Sequence, residues 1–198
     1  MAGRAPLVGK NLADSLKLLE DTAIILNQYH IPYILDGGTL LGVVREQRLL
    51  PWDTDMDMSV NESSIGMLKR AIWRLRFKGY RVVIRRFRLD ANPFQKGDVR
   101  VVKIRNYVAP FVKGNAVLDI FIRRISGTMQ VWAVGEKNTV FPQAPTDFFE
   151  KTKMIEFNYF KYSVPKDVED FLTYRYGDWQ TPVKRWNSMK DDLAIPKG

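Results

Sequence analysis

Leu12, Leu16, Leu19, Ala23 and Leu26 recur at helical spacing and predict an amphipathic helix over 11–30, stopped by Pro32. His30, the single histidine, falls at the end of this helix and reads as a helix-end residue rather than a catalytic one. "YILDGG" predicts a short strand ending in a glycine turn, and "TLLGVVREQ" a helix starting near Thr39. The pattern then switches to strict alternation. "DTDMDMSV" predicts a strand with Asp53, Asp55 and Asp57 on one face, each about 6.6 Å from the next, and Met56 and Met58 on the other. Asn61 is placed to cap a helix over 62–78 that ends at Gly79. Strands follow in "YRVVIRRFRL" and "VRVVKIRNY", separated by a loop in "ANPFQKGD". "AVLDIFIRRISGTMQVWAV" predicts a hairpin turning at Ser126-Gly127. A loop is expected over 139–152, a second hairpin in "MIEFNYFKYSVP", and a closing helix in "PKDVEDFLTYRYG", with Pro165 near its start and Gly177 past its end.

Early helices with a mostly β centre predict one α+β domain over 1–198. Its parts are the N-terminal helix 11–30, a core over 32–135 that carries the candidate chemistry, and a C-terminal hairpin and helix over 139–198. Composition changes this picture little: 45% apolar, 27% charged and 12% aromatic residues are ordinary for a globular chain. No apolar run reaches the roughly 18–20 residues of a membrane span. The absence of cysteine excludes disulfides and cysteine-bound zinc and fits a reducing compartment. One histidine cannot build a multi-histidine metal site. The net charge of +9 favours an anionic partner without choosing among nucleotides, phosphorylated polymers, nucleic acid and membrane.

Three carboxylates on one strand face repel one another unless a cation sits between them. Carboxylate oxygens select hard ions, Mg²⁺ or Mn²⁺. "AVLDIFI" sets Asp119 in an apolar strand, where burial is costly without a partner. That partner is either a metal shared with Asp55 and Asp57 or an arginine such as Arg105 or Arg123. An EF-hand loop is excluded, because its sixth and twelfth positions would be Met58 and Ser64. Gly37, Gly38 and Thr39 stand where a strand turns into a helix, a place where backbone N–H groups can face a phosphate. Arg45, about two turns on, is either a phosphate ligand or a solvated residue.

Glycine turn, helix, alternating aspartates and a distant strand aspartate resemble the nucleotidyltransferase superfamily. "DGGTLLGVVREQRLLPWDTDMDMSV" is similar to the signature of the LicD family, which includes fukutin and fukutin-related protein. "VLDIFI" resembles its second aspartate motif and "YGDWQTP" its C-terminal motif. The resemblance implies a mixed β-sheet flanked by helices. It also implies a minimal microbial member that moves a phospho-alcohol, such as phosphocholine or ribitol phosphate, from a CDP-linked donor to a glycan or phosphorylated polymer. By the same resemblance Asp55 and Asp57 hold Mg²⁺ or Mn²⁺ with Asp53 in support. Asp119 completes the site and serves as general base, while Gly37, Gly38, Thr39 and Arg45 serve the donor phosphates. Asp178 and Trp179 of the last motif either touch acceptor or metal, or pack. The alternatives left open are a nucleotidyltransferase proper and a binding module without turnover.

"KRAIWRLRFKGYRVVIRRFR" carries nine basic residues and no acid. It is either a solvated face or a surface for an anionic polymer or membrane leaflet, with Arg74, Lys78, Arg85, Arg86 and Arg88 as contacts outside the metal site. Interleaved Trp73 and Phe77 would also suit single-stranded nucleic acid, although nucleic acid is not the partner the family resemblance implies. The expected location is cytoplasmic, at the inner membrane face.

Overall fold

The computed structural model describes residues 5–135 and 138–196. The first helix, α1 (Gly9–Gln28), lays Leu18, Leu19, Ala23 and Leu26 into the core. His30 follows it with φ +51°, a helix-end position. β1 (Tyr33–Asp36) is buried along its whole length and passes directly into α2 (Gly37–Glu46). The helix therefore begins at the glycine pair, two residues before Thr39, because the Asp36 side chain caps it by accepting from the Gly37 N–H at 2.8 Å. β2 (Met56–Asn61) leads through a 3₁₀ turn, capped by Asn61 as expected, into α3 (Ile65–Phe77). β3 (Arg81–Arg86), β4 (Val99–Ala109) and β5 (Val112–Ser126) complete the centre.

These strands lie in the order β1-β2-β5-β4-β3, with β2 and β5 parallel and the other neighbours antiparallel. Alternation along β4 and β5 divides two chemistries. Val102, Ile104, Leu118 and Ile120 enter the main core, on the side where α1 and α3 pack. Val101, Lys103, Asp119 and Phe121 line a cavity. The sheet is thus mixed and flanked by helices, as the family resemblance implies.

Three details differ from the sequence reading. β5 turns into β6 (Met129–Val131) at Gly127-Thr128, one residue later than expected, since Ser126 still pairs with Met129. The expected loop over 139–152 contains β7 (Gln143–Pro145), which extends the sheet beyond β6, and a one-turn helix, α4 (Asp147–Glu150). The aspartate strand is shorter than its alternation suggests. β5 pairs back only to Met56 and β1 only to Asp57, so residues 53–55 have no strand to join. Asp53 instead donates its N–H to the Leu50 carbonyl and accepts from the Leu7 N–H. A separate hairpin, β8 (Thr152–Phe157) and β9 (Phe160–Pro165), packs beside β1, and α5 (Val168–Tyr176) ends at Gly177. Among the described residues no helix is long and apolar enough to cross a membrane.

Candidate active site

Register builds the site. Asp36 of β1 lies opposite Asp57 of β2, and Asp57 lies opposite Asp119 of β5. Asp55 joins from the segment entering β2. One carboxylate oxygen from each of Asp55, Asp57 and Asp119 lies within 4.8 Å of the others. Asp53 is not part of this group. Its carboxylate accepts from the Thr54 N–H at 2.9 Å and points at Gly38. The expectation that Asp53, Asp55 and Asp57 share one strand face is corrected by the early end of the strand, which begins only at Met56.

The electrostatics follow from this crowding. Burial, reinforced by the charges of Asp53 and Asp119, pushes the Asp55 carboxyl up to about 7. Burial and the neighbouring Asp55 and Asp119 raise Asp57 as well. Lys103 Nζ forms an ion pair with Asp119 Oδ2. Lys103 is thus a partner of Asp119 that the sequence reading did not weigh, while Arg123 pairs with Asp36. An all-oxygen donor set this closely spaced, with two of its carboxyls raised by mutual repulsion, fits a hard divalent cation.

The glycine pair serves the carboxylates. A Cβ on Gly37 would collide with the Asp57 carboxylate, and one on Gly38 with that of Asp53. Gly37 also takes φ +55°. Thr39 is not free to meet a phosphate with its hydroxyl: it is buried, and Oγ1 accepts from the Asp57 N–H at 2.9 Å, fastening β2 to α2. Arg45 lines the cavity, but its guanidinium is engaged. It donates to Glu46 at 2.6 Å and, through Nη1, to the Trp179 carbonyl at 3.0 Å.

Beneath the carboxylates lies an ion network that pattern reading does not reveal. Asp36 accepts from Arg123, from the Ser59 hydroxyl, from Arg175 at 2.6 Å and from the Gly37 N–H. Arg175 also pairs with Asp192 at 2.5 Å. Burial alone would raise Asp36, but Arg123 and Arg175 outweigh it and hold the carboxyl at about 2. The Arg123 guanidinium carbon sits over the Trp132 ring, 3.7 Å from its centre.

The cavity above the site has a volume of about 660 Å³. One wall is aromatic, with Trp52, Tyr176, Trp179 and Trp186. The "YGDW" motif contributes to it in two ways. Trp179 packs on the core and donates to Thr173 Oγ1 at 3.2 Å, while Asp178 stays exposed at the rim and accepts from the Thr181 hydroxyl. Arg74, Lys78, Arg85, Arg86 and Arg88 all stand outside the cavity. Lys78 pairs with Asp21 at 3.0 Å, and Arg86 donates to the Gly97 carbonyl.

Residues 30–167 match the family described as LicD/FKTN/FKRP, nucleotidyltransferase domain. The chain belongs to the LicD family. Among curated relatives, a Rickettsia typhi protein of undefined function is 24% identical over 168 residues, which cover 82% of this chain and 45% of the relative. Lipopolysaccharide cholinephosphotransferase LicD of Haemophilus influenzae is 40% identical over 43 residues, covering 22% of this chain and 16% of that LicD protein. The chain thus spans less than half the length of the curated relatives it matches. Among solved structures, ANT(2")-Ia in complex with adenylyl-2"-tobramycin is similar with a TM-score of 0.49 and 14% identity, covering 89% of this chain and 83% of that one. Family membership fits the site: all three clustered carboxylates and the glycine pair fall inside the matched residues, whereas Arg175, Asp178, Trp179 and Asp192 lie beyond them.

Proposed function

We propose that the chain is a metal-dependent phosphotransferase that moves a phospho-alcohol from a CDP-linked donor to a hydroxyl of a glycan or phosphorylated polymer. The observation that carries this reading is the convergence of Asp55, Asp57 and Asp119 at the foot of a cavity large enough for a nucleotide. These three would hold Mg²⁺ or Mn²⁺. When bound, such an ion offsets the negative charge of the transferring phosphoryl group. Asp119 would take the proton of the attacking hydroxyl. Trp52, Tyr176, Trp179 and Trp186 offer flat surfaces for the cytosine base and the alcohol. Gly37 and Gly38 keep the carboxylates close to the start of α2, and Arg45 holds the aromatic wall in place through the Trp179 carbonyl.

The test has two parts. Thermal-shift titration with CDP-choline, CDP-ribitol, CDP-glycerol and CTP, each with and without Mg²⁺, should single out one CDP-alcohol. A donor at 100 times its Kd adds about 2.7 kcal/mol. Product analysis with that donor should then find free CMP and an acceptor carrying the phospho-alcohol. Asp57→Asn and Asp119→Asn should each lower turnover by a factor on the order of 10²–10³ while the fold persists. Transfer of the nucleotide to the acceptor would replace this reading with a nucleotidyltransferase. Variants that keep more than about a tenth of the rate, a difference of only about 1.4 kcal/mol, would remove those residues from the site.

A further inference from the structure

Residues 69–113 contain 14 Lys and Arg against two Asp, an excess larger than the +9 of the whole chain, so the remainder is net negative. The same stretch exposes apolar side chains that a chain in water alone gains nothing by exposing. Phe111 is 94% exposed, Phe77 82%, Trp73 60%, and Val108 and Val112 53% each. Two elements bring them together. Trp73 and Phe77 are one turn apart on the outer face of α3, with ring centres 6.5 Å apart. Phe111 tips the β4–β5 hairpin. Gly79, just past α3, shares a groove with Tyr107–Phe111 of that tip, so the end of the helix and the hairpin form one continuous edge. Phe111 takes φ +63°, a left-handed backbone that is unfavourable for a bulky residue. Lys69, Arg70, Arg74 and Arg81 form no ion pair among the described residues.

We infer that this edge docks the protein on an anionic membrane surface. Aromatic and aliphatic tips enter the headgroup boundary while surrounding cations meet the anionic lipids. Charge complementarity selects this occupant. A second copy would bring the same positive edge against itself. Single-stranded nucleic acid needs a row of open ring faces for stacking, yet the Trp73 ring carries the Arg76 guanidinium 5.2 Å from its centre, and Phe111 is flanked at the tip by exposed Val108 and Val112. Asp119 follows Phe111 by eight positions along β5, so it stands at most about 27 Å from the docked tip. The inference goes beyond the proposed reaction and does not depend on it.

Sedimentation with vesicles tests it. The intact chain should pellet with an equal mixture of phosphatidylglycerol and phosphatidylcholine, remain in the supernatant with phosphatidylcholine alone, and release as salt is raised. A Trp73→Ser, Phe77→Ser, Phe111→Asn variant, checked for an unchanged melting temperature, should lose at least tenfold in vesicle affinity. Arg70→Gln and Arg74→Gln should each lose about fivefold, corresponding to about 1 kcal/mol per cation at a lipid surface. Failure to pellet with the anionic mixture would overturn the inference. So would equal pelleting with both vesicles, retention of affinity in the triple aromatic variant, or tighter binding to polyuridylate than to the vesicles. Dimerisation of the parent chain that the aromatic changes abolish would also overturn it, in favour of self-association.

Discussion

Asp36 and Asp57 face each other across one strand pair and carry opposite electrostatics. Asp36 is encircled by Arg123, Arg175, Ser59 and a helix N–H, and its carboxyl is held at about 2. Asp57 sits among Asp55 and Asp119, and its carboxyl is raised. Both lie on neighbouring strands, Asp36 buried and Asp57 half-buried, so strand position does not separate their roles. The supply of positive charge from the chain itself does. Asp36 is satisfied internally and acts as a structural joint. Asp55 and Asp57 are raised because their nearest charges are other carboxylates, and a bound cation would offset that repulsion.

The largest effect is expected from removing the internal supply. Asp36→Asn leaves two buried arginines short of a counter-charge and should cost about 3–5 kcal/mol in denaturant unfolding. A loss below about 1 kcal/mol would mean that the network is solvated and that the contrast with Asp57 is one of degree.

A smaller, pH-dependent effect separates the two sites in the metal-free protein. Asp36 is depressed, so its stabilisation is present above the ordinary carboxylate value of 3.8 and is lost as pH falls toward about 2. Asp55 is raised, so the sign reverses: its ionisation costs stability as pH climbs from 3.8 through about 7. Melting curves in chelator should therefore show stability declining across that interval. Asp55→Asn should flatten the decline, and added Mg²⁺ should oppose it. A melting temperature that is flat in pH and indifferent to Mg²⁺ would undo the assignment of Asp55 to the mutually repelling group.

The smallest effect on stability belongs to Gly38→Ala. Its backbone carries no positive φ, so the change should alter unfolding by about 1 kcal/mol or less. The new methyl group nevertheless displaces the Asp53 carboxylate, and activity should fall by more than the stability change explains. Activity and stability falling together would show that the glycine serves packing alone.

The mutually repelling site was the more legible of the two in the sequence. Asp57 and Asp119 interrupt runs of apolar residues, and such an interruption is visible without knowing the fold. Alternation overreached at Asp53, because periodicity does not show where partner strands end. β7 and α4 span only three and four residues, too short to leave a period in the expected loop over 139–152. The satisfied site was illegible for a different reason. Asp36 and Arg175 are 139 positions apart, and nothing local to either residue names the other. Lys103 was a nearer miss: it interrupts an apolar strand as Asp119 does, and the hairpin register places the two opposite each other.

The Asp36–Arg175–Asp192 chain also bears on how the protein is made. A nascent polypeptide that has emerged only as far as residue 167 already contains every clustered carboxylate, both glycines and all five strands of the β1-to-β3 sheet order. It still lacks Arg175 and Asp192, so half of the cationic shell around Asp36 is missing. On the ribosome, the joint beneath the carboxylate cluster can close only once Arg175 and Asp192 have cleared the exit tunnel. Completion of the site is therefore timed to the synthesis of residues 175–192 rather than to that of the clustered carboxylates themselves.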